Sequence, residues 1–437
     1  MHDAPEIHKF GGSCLRDSSD LERIAHIVLE AEGPVVVVVS ALWGTTDRLM
    51  RAAKEPRYAG RLVNDLASHH LRFAPSLVHS DLYDIFQRVL MGIEEALAAL
   101  ATDRSDIQAY NRLLAAGERL SALVIAHDLS QRGLPAHPLG AEDVGLCLDG
   151  VGNARTVDLE RSAERLDRDA FHGVPVVTGW FGEGTDGNIA LLGRGGSDHT
   201  ATALAALLSA QRVVLWKDVM GIYPVNPRWG VASPPIPYLG YGEAIEFANA
   251  DATILHPATV EPVYAIGIPI EIRHLSGYGE SNMKTTIGPD IEGPSMVKGV
   301  ACIPRVCCID VSVKYSGDVV ADLSDLIQAL KAADIRICSF ETTPSRWRFV
   351  LLQHDVKKAV DIINRYEDNI SYTYYAAMLS FIGCRDVHVL HELLGAQNGL
   401  ESDTVHVSTS STHILTQRVD ISSMLDELVA KMSAMKS

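Results

Sequence analysis

The stretch ALLGRGGSDHTAT (residues 190–202) sets Arg194, the pair Gly195-Gly196 and the acid Asp198 directly before an alanine-rich run. Two adjacent glycines cost backbone entropy and bury nothing, so they mark a sharp turn or a close approach. Ser197, Asp198 and Thr200 are residue types that start helices, and the following ATALAALLSA is strongly helix-forming. A glycine turn feeding a helix N-terminus aims free N–H groups at one point, which suits an anion. An ordinary capped loop has the same local signature. The meaning of the stretch therefore depends on what surrounds it.

Upstream, EIHKF (6–10) reads as a short strand and SDLERIAHIVLEAE (19–32) as an amphipathic helix capped by Ser19 or Asp20. GPVVVVVSA (33–41) holds five consecutive valines, the pattern of a strand buried on both faces of a parallel sheet. Residues 50–130 are mostly helical. GVPVVTGWFG (173–182), QRVVLWKDVMG (211–221) and IPIEIRH (268–274) are further buried strands. Strands alternating with helices in this order predict a layered α/β domain.

The pattern changes after SGYGESNMKTTIGPDIEGPS (276–295), whose Gly, Ser and Pro content reads as a linker. VCCIDVSV, DVVADLSDLIQALKAAD, IRICSFETT, RWRFVLLQH and VKKAVDIINRYED follow as strand, helix, strand, strand, helix. YAAMLSFIG, VHVLHELLGAQN, DTVHVSTSS, THILTQRV and ISSMLDELVAKM repeat that order. One βαββα unit thus occurs twice, and such units often bind small molecules at their interfaces.

The chain has 437 residues, is 47% hydrophobic and carries a formal net charge of -17 with no basic run, which argues against nucleic acid as a partner. Its seven cysteines are odd in number and lack CxxC spacing, so no disulfide framework is expected. No residues have metal-ligand spacing, and His69-His70 are expected on a helix surface. The N-terminus lacks the form of a signal peptide and no apolar run is long enough to span a bilayer; the expectation is a cytoplasmic protein with no membrane partner.

Four glycine-bearing turns each follow a predicted strand: KFGGSC (9–14), SALWGTTD (40–47), TGWFGEGTDG through GRGGSD (178–198), and KDVMGIYPVNPR (217–228). Strand C-terminal ends share one edge of a parallel sheet, so these turns should converge. Lys9 supplies a point charge, and Gly11 and Gly12 let backbone N–H groups approach a phosphate. KFGGSC is not a Walker A loop, and alone it also fits a plain strand-to-helix turn.

Together with AAGERLSAL (115–123) and ATILHPATVEP (252–262), these turns resemble, in the same order, the motifs of the aspartate kinase branch of the amino acid kinase family. The C-terminal repeat is similar to that family's paired ACT domains. The resemblance implies a three-layer α/β/α domain with a mostly parallel sheet over residues 1–280 and a linker at 281–297. Two ferredoxin-like βαββαβ ACT units are expected to follow, at 298–372 and 373–437, with interdigitation allowed. The implied reaction is transfer of the γ-phosphoryl group of ATP to the side-chain carboxylate of L-aspartate, with Mg²⁺ held mainly by the nucleotide phosphates. A kinase for a related acidic amino acid, or a weak paralogue sensing amino acids, is the alternative.

The resemblance assigns Lys9, Gly11, Gly12 and Ser13 to the transferring phosphate, and Asp198 to positioning Lys9 or the metal–phosphate geometry. It gives Arg194 the substrate α-carboxylate and Glu118 the α-ammonium, with hydrogen bonds from Ser40, Thr46 and Ser197. Without it, Glu118 reads as a solvated helix carboxylate and Arg194 as a surface cation. Lys217, Asp218, Tyr223 and Arg228 fall on the nucleotide side. The pattern departs from the family at Ser13, Cys14, Asp47 and Asn226. The lysine of its Ala-Lys-Val-Leu-His-Pro segment is Thr253, and the threonine before Asp218 is Lys217. A cation thus leaves one nucleotide-side loop and enters another. In the ACT pair, FIGCRDVHVLHEL keeps Gly383 but lacks Pro-Gly-Val, which leaves an amino-acid effector and simple homodimerisation both open.

Overall fold

In a computed structural model of the chain, residues 4–250, 254–279, 283–291, 296–313, 319–343, 345–367, 369–394, 405–408 and 410–435 are described. Thr253 lies outside the described residues. Contacts divide the chain into two compact units, one of residues 1–222, 237–241 and 255–290, the other of 223–236, 242–254 and 291–437. The division differs from an uninterrupted 1–280 domain. Val225 and Val231 are apolar and pack in one cluster with Val297, Val300, Leu379 and Phe381, so their segment folds with the second unit.

The first unit is built on an eight-stranded sheet. Its strands run, across the sheet, Ala136–Leu139, Val174–Thr178, Val35–Val39, Glu6–Phe10, Arg212–Lys217, Ile270–His274, Thr285–Gly288 and Tyr238–Gly240. Every pairing is parallel except that of Ile270–His274 with Thr285–Gly288. All five valines of Val35–Val39 are buried, as the unbroken run predicts. One face packs on helices Ser18–Leu29 and Ile107–Gln131 through Phe10, Val37, Trp216 and their neighbours. Side chains alternate along a strand, so Lys9 points to the opposite face, where helix Gly196–Leu208 runs.

Four local expectations are corrected. Thr285–Gly288 is a strand rather than linker; Thr285 and Ile287 are buried, and its β-branched residues suit an interior sheet position. Helix Ser18–Leu29 is capped by Asp17, whose side chain accepts from Ser19 N at 2.8 Å, while Asp20 closes the capping box. Helix Gly196–Leu208 begins from Gly195 in a left-handed conformation, φ 78°, so the glycine turn makes its start and Ser197 and Asp198 lie inside it. His69 and His70 are buried, not on a surface; His70 Nδ1 lies 2.7 Å from Leu66 O.

The second unit has one six-stranded antiparallel sheet and two cores. The order is Ile337–Thr343, Arg346–Leu352, Gly299–Ser312, Ile370–Ile382, Ser411–Thr416 and Val405–Val407. Helices Val319–Ala332 and Val356–Ile363 pack on Ile309, Trp347 and Phe349. Helices Val387–Leu394 and Ile421–Met435 pack on Val300, Leu379 and Phe381. The two long central strands serve both cores. Residues 299–304 pair with 377–382, and 306–311 pair with 370–375. The fourth strand of the second ferredoxin-like half, 299–304, thus precedes the whole first half, so the halves interdigitate instead of meeting at residue 372.

Arg305, between the two stretches, has φ 55° and no partner in the ladder. An L-residue pays for that left-handed geometry, and a β-branched one pays more. Arg305→Gly should leave the urea midpoint of the second unit unchanged or raise it. Arg305→Val should cost about 1–2 kcal/mol. A valine variant as stable as the parent would show that the turn carries no strain.

Candidate active site

Three of the four glycine turns converge at the C-terminal edge of the eight-stranded sheet; the fourth, 217–228, contributes no residue to the cleft lining. The turn after Glu6–Phe10 forms a short 3₁₀ helix, Gly12–Cys14. A Cβ on Gly12 would lie 3.1 Å from Ala41 O, so glycine here permits close contact with the next loop. Backbone bonds from Ser40 N to Phe10 O (3.1 Å) and from Trp43 N to Leu15 O (3.0 Å) tie the two loops together. The third turn closes on them: Ser40 Oγ donates to Ser197 Oγ at 3.0 Å. A Cβ on Gly195 would lie 2.8 Å from His256 Cβ. His256 caps helix Pro257–Tyr264, with Pro257 at its first position, which gives the His-Pro pair of ATILHPATVEP a structural reason.

These loops enclose a cleft of 560 Å³. Lys9, Gly12, Ser13, Ser40, Thr46, Glu118, Arg194 and Ser197 line it, as the sequence places them. Trp180, which the sequence did not single out, also lines it. Trp180 follows the strand Val174–Thr178 with φ 75°, a backbone geometry that its residue type gives no hint of.

At the floor, Lys9 Nζ lies 2.6 Å from Asp198 Oδ1, and Lys217 Nζ lies 2.7 Å from Asp198 Oδ2. Register explains the meeting: Leu215 pairs with Lys9, and Lys217, two residues on, shares its face. Burial opposes ionisation of Asp198, but Lys217 and Lys9 overcome it and hold the carboxyl well below its usual range. Two cations on one anion leave a net positive charge in a site shielded from water. Such a site attracts phosphate.

The cleft wall has the opposite character. Glu118 lies in helix Ile107–Gln131, where a Cβ on the neighbouring Gly117 would lie 3.0 Å from Ala41 Cβ. Its Oε1 accepts from Ala41 N at 3.1 Å, and its Oε2 has no hydrogen-bond partner. Burial raises the Glu118 carboxyl to about 8, against the smaller pull of the Ala41 N–H and Lys9. Arg194 is exposed on the cleft wall. One cleft thus presents a buried carboxyl, a free guanidinium and a cationic floor.

The fourth turn is divided. Asp218 is exposed, with Arg16 Nη2 at 3.7 Å, and the Arg16 guanidinium sits 4.7 Å from the Trp43 ring centroid. Tyr223 is half-buried and Arg228 exposed, and both belong to the segment that folds with the second unit. Asn226 Oδ1 accepts from Arg228 N at 3.0 Å and caps a 3₁₀ turn, so the lost carboxylate there is replaced as a cap. Among the described residues no group of three His, Cys, Asp or Glu could hold a metal ion, and no helix is long and apolar enough to cross a membrane.

The model of the Amino acid kinase family matches residues 6–274. The chain is 30% identical over 349 residues to bifunctional aspartokinase/homoserine dehydrogenase 2 of Escherichia coli (strain K12), which takes in 76% of this chain and 41% of that protein. It is 31% identical over 274 residues to lysine-sensitive aspartokinase 3 of the same organism, covering 60% of each. It therefore spans less than two thirds of the length of either of these relatives. With the aspartokinase of Geobacillus stearothermophilus it shares 27% identity over 392 residues, 86% of this chain and 83% of that one. The fold is similar to that of E. coli aspartokinase III crystallised with aspartate and ADP, with a TM-score of 0.79, 23% identity, and 98% and 99% of the two chains covered. The residues matched by the family model include every residue that lines the cleft, and the chain belongs to the amino acid kinase family.

Proposed function

We propose that the chain is an aspartate kinase, transferring the γ-phosphoryl group of ATP to the side-chain carboxylate of L-aspartate to give 4-phospho-L-aspartate and ADP. The observation that carries this reading is the charge pattern of one cleft: Lys9 on Asp198 at its floor, with Glu118 and Arg194 on its wall. A phosphate suits the first and the two ends of an amino acid suit the others. Relatives named as aspartokinases support the choice of acceptor.

In this reading Arg194 grips the α-carboxylate through its fork of donors and Glu118 takes the α-ammonium. Ser40, Thr46 and Ser197 complete the hold. The β-carboxylate is already ionised at neutral pH, so it attacks the γ-phosphorus without a general base. A bond forms from carboxylate oxygen to phosphorus, the bond to the bridging oxygen breaks, and the electron pair leaves on ADP. Lys9 and the backbone of Gly11, Gly12 and Ser13 stabilise charge on the transferring oxygens, which is the main catalytic task in phosphoryl transfer. Asp198 holds Lys9 in place. Both of its oxygens are engaged by ammonium groups, so Mg²⁺ is assigned to the nucleotide phosphates, where it neutralises charge. Asp218, Tyr223 and Arg228 are assigned to the nucleotide. The paired C-terminal halves are assigned to homodimerisation or to an amino-acid effector.

Purified protein with MgATP and hydroxylamine should form aspartyl hydroxamate only when L-aspartate is present. Absence of product with aspartate, but turnover with another acidic amino acid, would replace the acceptor. Absence with all of them would remove the kinase reading.

Glu118 gives a second test. Its folded-state carboxyl, near 8, stands above its unfolded value of 4.5, so its stability contribution is complete below pH 4.5 and is lost as pH rises toward 8. Glu118→Gln removes that loss. The variant's melting temperature should match the parent near pH 4.5 and exceed it by pH 8.5, while its KM for aspartate rises roughly a hundredfold because the ammonium loses its charged partner. A stability difference independent of pH would contradict the assignment.

A further inference from the structure

Lys217 goes beyond the nucleotide-side role that its place in the sequence suggests. It ends strand Arg212–Lys217 on the face that carries Lys9, and its ammonium lies 2.7 Å from Asp198 Oδ2. Its side chain is 16% exposed, against 7% for Lys9 and 5% for Asp198. The ammonium is therefore almost withdrawn from solvent, next to the cleft floor and away from the outer loop that begins at Asp218. Neutralising Asp198 takes one lysine. The second leaves the group with a net positive charge where phosphoryl charge develops. The residue is also a departure from the motif that the rest of the turn resembles, which has threonine at this position and a lysine where this chain has Thr253.

We propose that Lys217 is a second catalytic cation, held on Asp198 and contacting the γ-phosphoryl group alongside Lys9. This rests on the kinase reading above. As the carboxylate oxygen of the acceptor bonds to the γ-phosphorus and the electron pair of the breaking bond departs on ADP, negative charge persists on the three non-bridging oxygens. Lys9 and Lys217 reach them from the two sides of one carboxylate. No proton is transferred. Asp198 acts as a positioning residue for both ammonium groups.

A lysine that served only to neutralise Asp198 would not distinguish ATP from ADP, whereas one that touches the γ-phosphoryl group must. The test measures binding and turnover on the full chain. With Lys217→Ala, kcat should fall about a hundredfold or more with little change in the KM for aspartate. By calorimetry, affinity for a non-hydrolysable ATP analogue should fall roughly tenfold or more while affinity for ADP changes less than about threefold. Lys9 remains on Asp198 in this variant, so no buried charge is left unpaired. If alanine at this position prevents folding, Lys217→Gln fills the same space without the charge and is read in the same way. Equal weakening of both nucleotides, or an unchanged kcat, would overturn the proposal. If the unmodified chain makes no aspartyl hydroxamate, the functional reading falls on its own, and the ATP-to-ADP comparison still decides the role of Lys217.

Discussion

A single carboxylate, Asp198, organises the site. It is buried, and a buried anion persists only when cations compensate it. Lys9 and Lys217 do so from the ends of two adjacent strands, while Asp198 lies in the first turn of the helix that covers their face of the sheet. The first strand and a helix–strand pair some two hundred residues further on must therefore be in register before the charges balance. The parallel pairing of Glu6–Phe10 with Arg212–Lys217 supplies that register, and the left-handed Gly195 sets where the helix begins. The glycine turn serves the ion group as much as it serves any anion. It lets the helix start against His256, where a Cβ would collide.

The cleft wall works by a different principle. Glu118 is not compensated: one oxygen accepts a backbone N–H and the other has no partner. Desolvation then keeps its proton on, and a cation arriving from solvent would release it. The site thus keeps one acid charged by surrounding it with lysines and another neutral by withholding partners. The two behaviours follow from environment alone.

Much of this could be read from the sequence, because the features that carry it are local. Five valines in a row, glycines after strands, and a lysine two residues before a Gly-Gly pair need no tertiary information to be noticed. Five of the eight strands in the first unit's large sheet, the two repeated C-terminal units and most residues lining the cleft followed from such signals, while Ala136–Leu139 and Tyr238–Gly240 did not. What escaped depends on distant partners. Thr285–Gly288 is too short and too close to glycines and prolines to stand out, and it becomes a strand only through Ile270–His274 and Tyr238–Gly240. His70 is polar by type yet buried, because Leu66 O and Phe86 lie against it. The contact between Lys217 and Asp198 joins two motifs that the sequence reads separately. Trp180 gave no signal at all, since nothing in a tryptophan predicts a left-handed backbone.

The two long strands of the second unit bind its halves by more than proximity. Residues 299–304 complete one half although they lie, in chain order, ahead of the other. A cut anywhere in the intervening 313–369 severs one half internally and separates the other from its own first strand. Excising the C-terminal half would leave 299–304 with its partners 377–382 removed, a bare strand edge open to non-native pairing. Neither half is a portable module, and grafting this unit onto another protein would require the whole span from Gly299 onward together with the segment of Val225 and Val231 that packs in its core.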